Sequence, residues 1–271
     1  MTYSEVANRL RVAGIENYDG EARMLIEHVC ASSPLTDGEY ESEALVLAVD
    51  KRCSGYPLQY ILGKWWLARC EFFVDESCLI PRADTECVIE EAVKLLPPGA
   101  RFADLCAGSG CIAISILDLR RDTEADAFEL YPKTLELACR NAAHNHVESR
   151  FCGIAGDVND ECLLGLKKYS AIVSNPPYIR RDVVPTLAKD VHFEPVAALD
   201  GGIDGLDFYR AIVRNFAKNL DEGGAFIFEI GYDQAKDIEK IALDGGFSCR
   251  IKRDLGGNDR VAILTRRNCN C

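Results

Sequence analysis

Two short stretches of the chain carry residue types that could do chemistry. The first is Ile172-Val173-Ser174-Asn175-Pro176-Pro177-Tyr178, where two prolines follow an apolar run almost directly. Proline fixes its own φ and has no N–H, so Pro176 and Pro177 stiffen the backbone and leave nearby carbonyls without ladder partners. An amide or exocyclic amino nitrogen is a poor nucleophile because its lone pair is delocalised into the adjacent π system. The Asn175 side-chain oxygen and the Pro176 carbonyl can accept both of its N–H hydrogens and leave the lone-pair direction facing a sulfonium methyl. Tyr178 can stack on the planar group and hold it in line. Such a transfer needs neither a metal nor a strong base, since the sulfonium charge drives it and positioning supplies the rate. The same four letters also suit a rigid Pro-Pro turn that simply closes a strand.

The second stretch is Asp104-Leu105-Cys106-Ala107-Gly108-Ser109-Gly110-Cys111-Ile112-Ala113. Its glycines fall where an apolar strand turns into a helix, and a residue without Cβ lets the backbone come close to a ligand. The letters satisfy G-x-G-x-x-A, so a nucleoside edge, a dinucleotide with its pyrophosphate on the helix N-terminus, and a tight turn without ligand are all open. Glu129 stands nineteen residues after Gly110, at the end of the next candidate strand. There a carboxylate can accept from both hydroxyls of a ribose, which favours an adenosine-containing ligand. Asp157 and Val158 follow the third strand, where an acidic side chain or a backbone amide can meet an adenine.

These residues need a frame to position them. From Asp84 onward helices and strands alternate, the pattern of a parallel sheet with crossover helices. Candidate strands are 101–105, 125–129, 151–155, 171–174 and 225–230, with apolar-periodic helices near 110–120, 131–143, 206–220 and 233–244. Two further strands, 247–252 and 260–265, flank the turn-rich Asp254-Leu255-Gly256-Gly257-Asn258-Asp259 and close an antiparallel hairpin. Residues 1–54 read as a small unit of about three helices, with Val6, Leu10, Ala22, Leu25, Ile26, Leu45 and Ala48 at helical spacing and breaks at Gly14, Gly20 and Ser33-Pro34. Residues 55–81 read as a linker with a hairpin and extended stretches at 72–74 and 79–80, and residues 82–271 as the chemical domain.

Composition narrows the partners. A chain of 271 residues, 48% hydrophobic, can bury a core of this size. Its net charge of −12 argues against affinity gained by neutralising phosphates, so no direct nucleic-acid partner is expected. The 13 cysteines are odd in number, scattered, and form no C-x-x-C pair, which reads as reduced thiols of a cytoplasmic protein rather than a disulfide or metal framework. Cys269-Asn270-Cys271 reads as a frayed tail, no stretch reads as a signal peptide or membrane span, and the four histidines suggest no catalytic role.

Over nearly its whole length the chain resembles the HemK-like glutamine methyltransferases that modify peptide-chain release factors. The resemblance is carried by Glu21-Ala22-Arg23, Pro57-Leu58-Gln59-Tyr60-Ile61-Leu62-Gly63, Leu79-Ile80-Pro81-Arg82-Ala83-Asp84-Thr85-Glu86, the two stretches above, Glu194-Pro195, Ala198-Leu199-Asp200-Gly201-Gly202, Glu229-Ile230-Gly231 and Asp259-Arg260-Val261. The tetrad alone is shared with adenine-N6 and guanine-N2 methyltransferases; the flanking segments choose the substrate class. A nicotinamide-dependent oxidoreductase would use the glycine loop but leaves the tetrad unexplained. The resemblance implies a class I S-adenosylmethionine-dependent methyltransferase, α/β, with a seven-stranded mostly parallel sheet and a small N-terminal helical domain. It implies that Cys106 to Gly110, Glu129, Asp157, Val158 and Asn175 bind the cofactor and that Asn175 to Tyr178 hold the acceptor glutamine. It further implies that the helical unit docks class 1 release factors, whose Gly-Gly-Gln loop enters the site, and that the protein acts as a monomer. Against the family pattern, Glu129 replaces a usual Asp, Ala107 a Thr, Ala83 a Pro, and Val158 a frequent aromatic.

Overall fold

The computed structural model describes residues 1–31, 38–40 and 42–267. The expected break at Ser33-Pro34 and the Cys269-Asn270-Cys271 tail lie outside them. Helix α1, Tyr3–Val12, starts at a reciprocal cap: the Thr2 hydroxyl accepts from the Glu5 N–H while the Glu5 carboxylate accepts from the Thr2 N–H. It ends before Gly14, whose φ of +83° a residue with a Cβ adopts only under strain. Helix α2, Tyr18–Cys30, contains Gly20 in its first turn, so the break expected there falls instead between Ala13 and Asn17. Helix α3, Glu43–Cys53, is capped by the Ser42 hydroxyl. A fourth short helix, α4, Leu58–Leu62, lies in the stretch read as linker, and its Leu58 and Leu62 join the apolar core of the first three.

The hairpin of that stretch pairs β1, Lys64–Leu67, with β2, Cys70–Phe73. Residues 79 and 80, also expected to be extended, belong to no strand; they run along the functional cleft. A 3-10 turn at Ala83–Thr85 leads into α5, Glu86–Leu95. Then follow β3 (Arg101–Leu105), α6 (Cys111–Leu119), β4 (Glu124–Glu129), α7 (Pro132–His144), β5 (Phe151–Ala155), β6 (Tyr169–Ser174), α8 (Asp207–Phe216), β7 (Leu220–Glu229), α9 (Ala235–Asp244), β8 (Phe247–Arg253) and β9 (Asp259–Arg266). The large sheet has the spatial order β5-β4-β3-β6-β7-β9-β8, with β9 antiparallel to both neighbours and β3 to β7 parallel.

Both faces of the central strands are buried, which is why β3, β6 and β7 are mostly apolar, with Asp104 on β3 and Asp126 on the neighbouring β4 as buried exceptions. On β7, Ala225 and Ile227 face the core shared with α5, α6 and α7, whereas Phe226 and Phe228 face the core shared with α8 and α9. From β3 the chain winds outward through β4 and β5, then returns to lay β6 on the other side of β3. The crevice beyond the carboxyl ends of β3 and β6 is therefore the topological switch point, where open α/β sheets bind their ligands. The two stretches singled out in the sequence are the loops that follow those two strands.

Candidate functional site

Leu105 and Ser174 end their strands side by side in the β3–β6 register, and the Ser174 hydroxyl donates to the Leu105 carbonyl at 2.5 Å. The glycine loop and the tetrad thus start from adjoining strand ends. Past Leu105 the backbone turns through positive φ at Cys106 (+60°), Gly108 (+56°) and Gly110 (+78°) before α6 begins. Between the two loops lies a cleft that opens to solvent. Its walls include Cys106, Ala107, Gly108, Ser109, Glu129, Asp157, Val158, Asn175 and Pro177. Of the residues expected to form the site, Gly110, Pro176 and Tyr178 are not on that wall. A Cβ at Gly110 would come within 2.9 Å of Ile114 and 3.3 Å of Ala138, so this glycine permits close packing of α6 and α7.

Glu129 is braced from two sides. Its carboxylate accepts from the Gly108 N–H at 2.9 Å and from the Tyr131 N–H at 3.0 Å, which ties the glycine loop to the end of β4. Glutamate, one methylene longer than aspartate, reaches both amides. Behind the loop the Ser109 carbonyl accepts from Asn141 on α7, whose amide also brackets Phe73 of the hairpin, so one buried Asn fixes loop and hairpin together. Nothing in the spacing of the sequence marks Asn141 for this work.

The cleft's far wall is a strap, residues 77–82, most of which lies in the stretch read as linker. It is tied down by Thr134 donating to the Ser77 carbonyl at 2.6 Å, by Tyr60 donating to the Cys78 carbonyl at 2.6 Å, and by the Ile80 N–H donating to Glu194 at 3.0 Å. Arg82 closes on the same Glu194, whose carboxyl is buried and pushed above its ordinary value by desolvation, against the pull of Arg82.

Under the tetrad lies a buried polar network. Thr85 donates to one oxygen of Glu229 at 2.6 Å, and Tyr178 donates to the other at 3.3 Å. Burial pushes the Glu229 carboxyl up, opposed by Thr85, by Arg260 and by Tyr178. The Asn175 amide nitrogen approaches the Thr85 hydroxyl at 3.5 Å. Gly201 and Gly205 back the tetrad so closely that a Cβ on either would lie 2.7 Å from the Pro177 carbonyl or 2.4 Å from that of Tyr178. Cys78, Cys106 and Cys111 all line the cleft, and burial raises each thiol, to about 12 for Cys78 and Cys111, which favours the neutral form. Among the described residues no cluster of His, Cys, Asp and Glu could hold a metal ion, and no helix is long and apolar enough to cross a membrane.

Two family models match the chain: the PrmC N-terminal domain over residues 2–63 and the methyltransferase small domain over residues 86–194. The release factor glutamine methyltransferase of Clostridium acetobutylicum is 33% identical over 269 residues, covering 95% of this chain and 94% of that protein. The chain belongs to the release factor glutamine methyltransferase family. The family member of Moorella thermoacetica is 35% identical over 97% of this chain and 96% of its own. A tRNA m1G37 methyltransferase from M. jannaschii, 16% identical, aligns with a TM-score of 0.51 over 76% of this chain and 56% of its own, which shows the shared fold and nothing further.

The methyl donor of this family is S-adenosylmethionine, and the cleft fits it. A Cβ at Gly108 would point into open space, and the buried Ser109 hydroxyl on the wall has no partner beyond the Cys111 thiol. Asp104, at the root of the glycine loop, is fully buried; one of its oxygens accepts from the Ala113 N–H at 3.1 Å and the other has no partner. Burial raises its carboxyl to about 7. The folded state therefore holds a proton that an unfolded aspartate, with a value near 3.9, releases. Stability from this site is full below about pH 4 and is lost as pH rises through 7. Asp104→Asn is expected to melt roughly 5 °C higher than the parent at pH 8 and to lose that advantage near pH 4. Parallel thermal melts at the two pH values check this, and an advantage independent of pH would refute the buried-acid explanation.

Proposed function

We propose that the protein transfers the methyl group of S-adenosylmethionine to the side-chain amide nitrogen of the glutamine in the Gly-Gly-Gln motif of class 1 peptide-chain release factors. The observation that carries this reading is the placement of the Asn175-Pro176-Pro177-Tyr178 loop beside the glycine loop at the sheet's switch point. It occurs in a chain one-third identical, almost end to end, to proteins named for that reaction. Bound in the cleft, S-adenosylmethionine supplies an electrophilic methyl on a positively charged sulfur. Cys106, Ala107, Gly108 and Ser109 would hold its methionine and ribose side, with Gly110 packing the loop against α7 behind them, Glu129 the ribose hydroxyls, and Asp157 and Val158 the adenine. Asn175 and the Pro176 carbonyl accept the two amide hydrogens of the glutamine, Pro177 holds the turn, and Tyr178 supports the planar group. Proton loss to water follows methyl transfer.

In the same reading residues 1–54 dock the release factor, 55–81 connect, and 82–271 carry out the chemistry. The partner is a protein and not a nucleic acid or a membrane, and the enzyme acts as a monomer in the cytoplasm. The net charge of −12 supports the choice of a protein over a polyanion. Incubation with labelled S-adenosylmethionine and a purified bacterial release factor, followed by mass mapping, tests it. One added methyl on the Gly-Gly-Gln glutamine, absent when that glutamine is replaced, is the expected result. Cofactor binding with label appearing only on added nucleic acid would overturn the substrate assignment.

A further inference from the structure

Asparagine can hold a planar amide only if its own amide faces the right way round. Its oxygen accepts and its nitrogen donates, and the two ends are nearly the same shape. If the nitrogen faced the acceptor, two N–H groups would meet N–H groups and the site would repel its substrate. Nothing within the tetrad decides between the two orientations; the network beneath it does.

Glu229 is 1% exposed, and each of its oxygens accepts from a hydroxyl, Thr85 at 2.6 Å and Tyr178 at 3.3 Å. Burial pushes this carboxyl up, and Arg260, which bonds Asp84 next to Thr85 at 3.1 Å, is one of the groups that oppose the rise. In its ionised form the carboxylate only accepts, and the one hydrogen of the Thr85 hydroxyl is then committed to it. What Thr85 can then offer Asn175 is an acceptor oxygen. Asn175 meets it with its nitrogen, at 3.5 Å, and its oxygen is the polar atom left for the cleft that Asn175 lines. Thr85 itself also lines that cleft.

We infer that Thr85 and Glu229 are positioning residues that set the amide orientation of Asn175, so that the tetrad presents an acceptor and selects an amide N–H donor. This rests on the reading of the acceptor as a side-chain amide. With Glu229 ionised the polarity runs one way, from the buried carboxylate through one hydroxyl to the asparagine. It explains why two residues from elements far apart in the chain, the 3-10 turn before α5 and the end of β7, meet beneath the tetrad.

Thr85→Val keeps the shape and removes the hydroxyl, whereas Thr85→Ser keeps the hydroxyl. In methylation of a release factor by the full-length protein, Thr85→Val is expected to lower kcat about 10²-fold, the cost of a misplaced reacting group. The KM for the release factor and the Kd for S-adenosylmethionine, measured by calorimetry, should both stay within about threefold, since a group acting only in the transition state leaves binding intact. Thr85→Ser should recover kcat to within about fivefold of the parent, a rescue that loss of packing would not give. Glu229→Leu should resemble Thr85→Val, and if it fails to fold, the Val and Ser pair decides alone. A parent enzyme that methylates the release factor while Thr85→Val turns over as fast as Thr85→Ser would overturn the inference. A parent that leaves the release factor unlabelled would instead overturn the acceptor assignment.

Discussion

Asn175→Ala is expected to lower turnover by about 10²–10³-fold, the range seen when one oriented polar group is removed from a reacting centre, while S-adenosylmethionine still binds within about threefold of the parent affinity. The reason is geometric. Asn175 stands on the cleft wall at the end of β6, beside the end of β3, where on the proposed reading its oxygen would meet the acceptor. The glycine loop and Glu129, which brace each other from β3 and β4, do not lean on it. Removing the side chain takes away one of two hydrogen-bond acceptors and leaves the amide free to rotate its lone pair away from the sulfonium. The alanine has no polar group to bury in its place, so folding should be spared; a thermal melt within a few degrees of the parent would confirm that. Single-turnover rates at saturating cofactor, set beside calorimetric Kd values, separate the two properties. Equal losses in both would show that Asn175 holds the cofactor rather than the acceptor.

The chemistry-bearing loops were legible in the sequence because each depends on local backbone rules. A proline pair after an apolar run and glycines at a strand–helix junction declare themselves without knowledge of the fold. The strands 101–105 and 151–155 were legible to the residue, since each is a short, mostly apolar run between helical segments. β7 was not: it begins at Leu220, five residues before the strand expected at 225–230, because nothing local shows that Tyr169 pairs with Leu220. Helix α4 was missed for a related reason. Five residues between Pro57 and Gly63 are too few for periodicity, and only burial of Leu58 and Leu62 against α1 to α3 makes them a helix. Gly20 misled because a glycine costs little in a helix's first turn.

What could not be read from the sequence is long-range. Arg82 meets Glu194, Asp84 meets Arg260, and Thr85 meets Glu229, each across more than a hundred residues of chain. Each segment was visible as part of a resemblance, yet spacing alone assigns none of them a task. In the fold they share one: they pin the segment before α5 to the rim and floor of the cleft, so the tetrad rests on groups that cannot shift independently. Fixing a reacting group within a fraction of an ångström takes such a second layer, because a planar amide offers the site only direction and no charge to grip.

Glu129→Ala should produce the opposite division, weakening S-adenosylmethionine binding by about 10²-fold while turnover at saturating cofactor falls no more than about threefold. On the proposed reading the carboxylate does two jobs from one position. Its oxygens accept from the Gly108 and Tyr131 amides at 2.9 and 3.0 Å and so hold the glycine loop against the end of β4, and its remaining lone pairs face the cleft. Hydrogen bonds to a charged partner contribute about 1.5–3 kcal/mol each, so two lost from the bound state exceed tenfold in affinity even after water compensates in part. Glu129→Gln offers a sharper comparison. It keeps the length, but its nitrogen must face one of the two amides or the ribose, N–H against N–H or a donor where an acceptor is needed. Its expected affinity lies between parent and alanine, near a tenfold loss, because one acceptor survives. Asp, shorter by a methylene, cannot span both amides and should also fall between them. If calorimetry found the Ala, Gln and Asp variants all binding as tightly as the parent, Glu129 would be a brace for the loop and nothing more, and the ribose would have to be held from elsewhere on the wall.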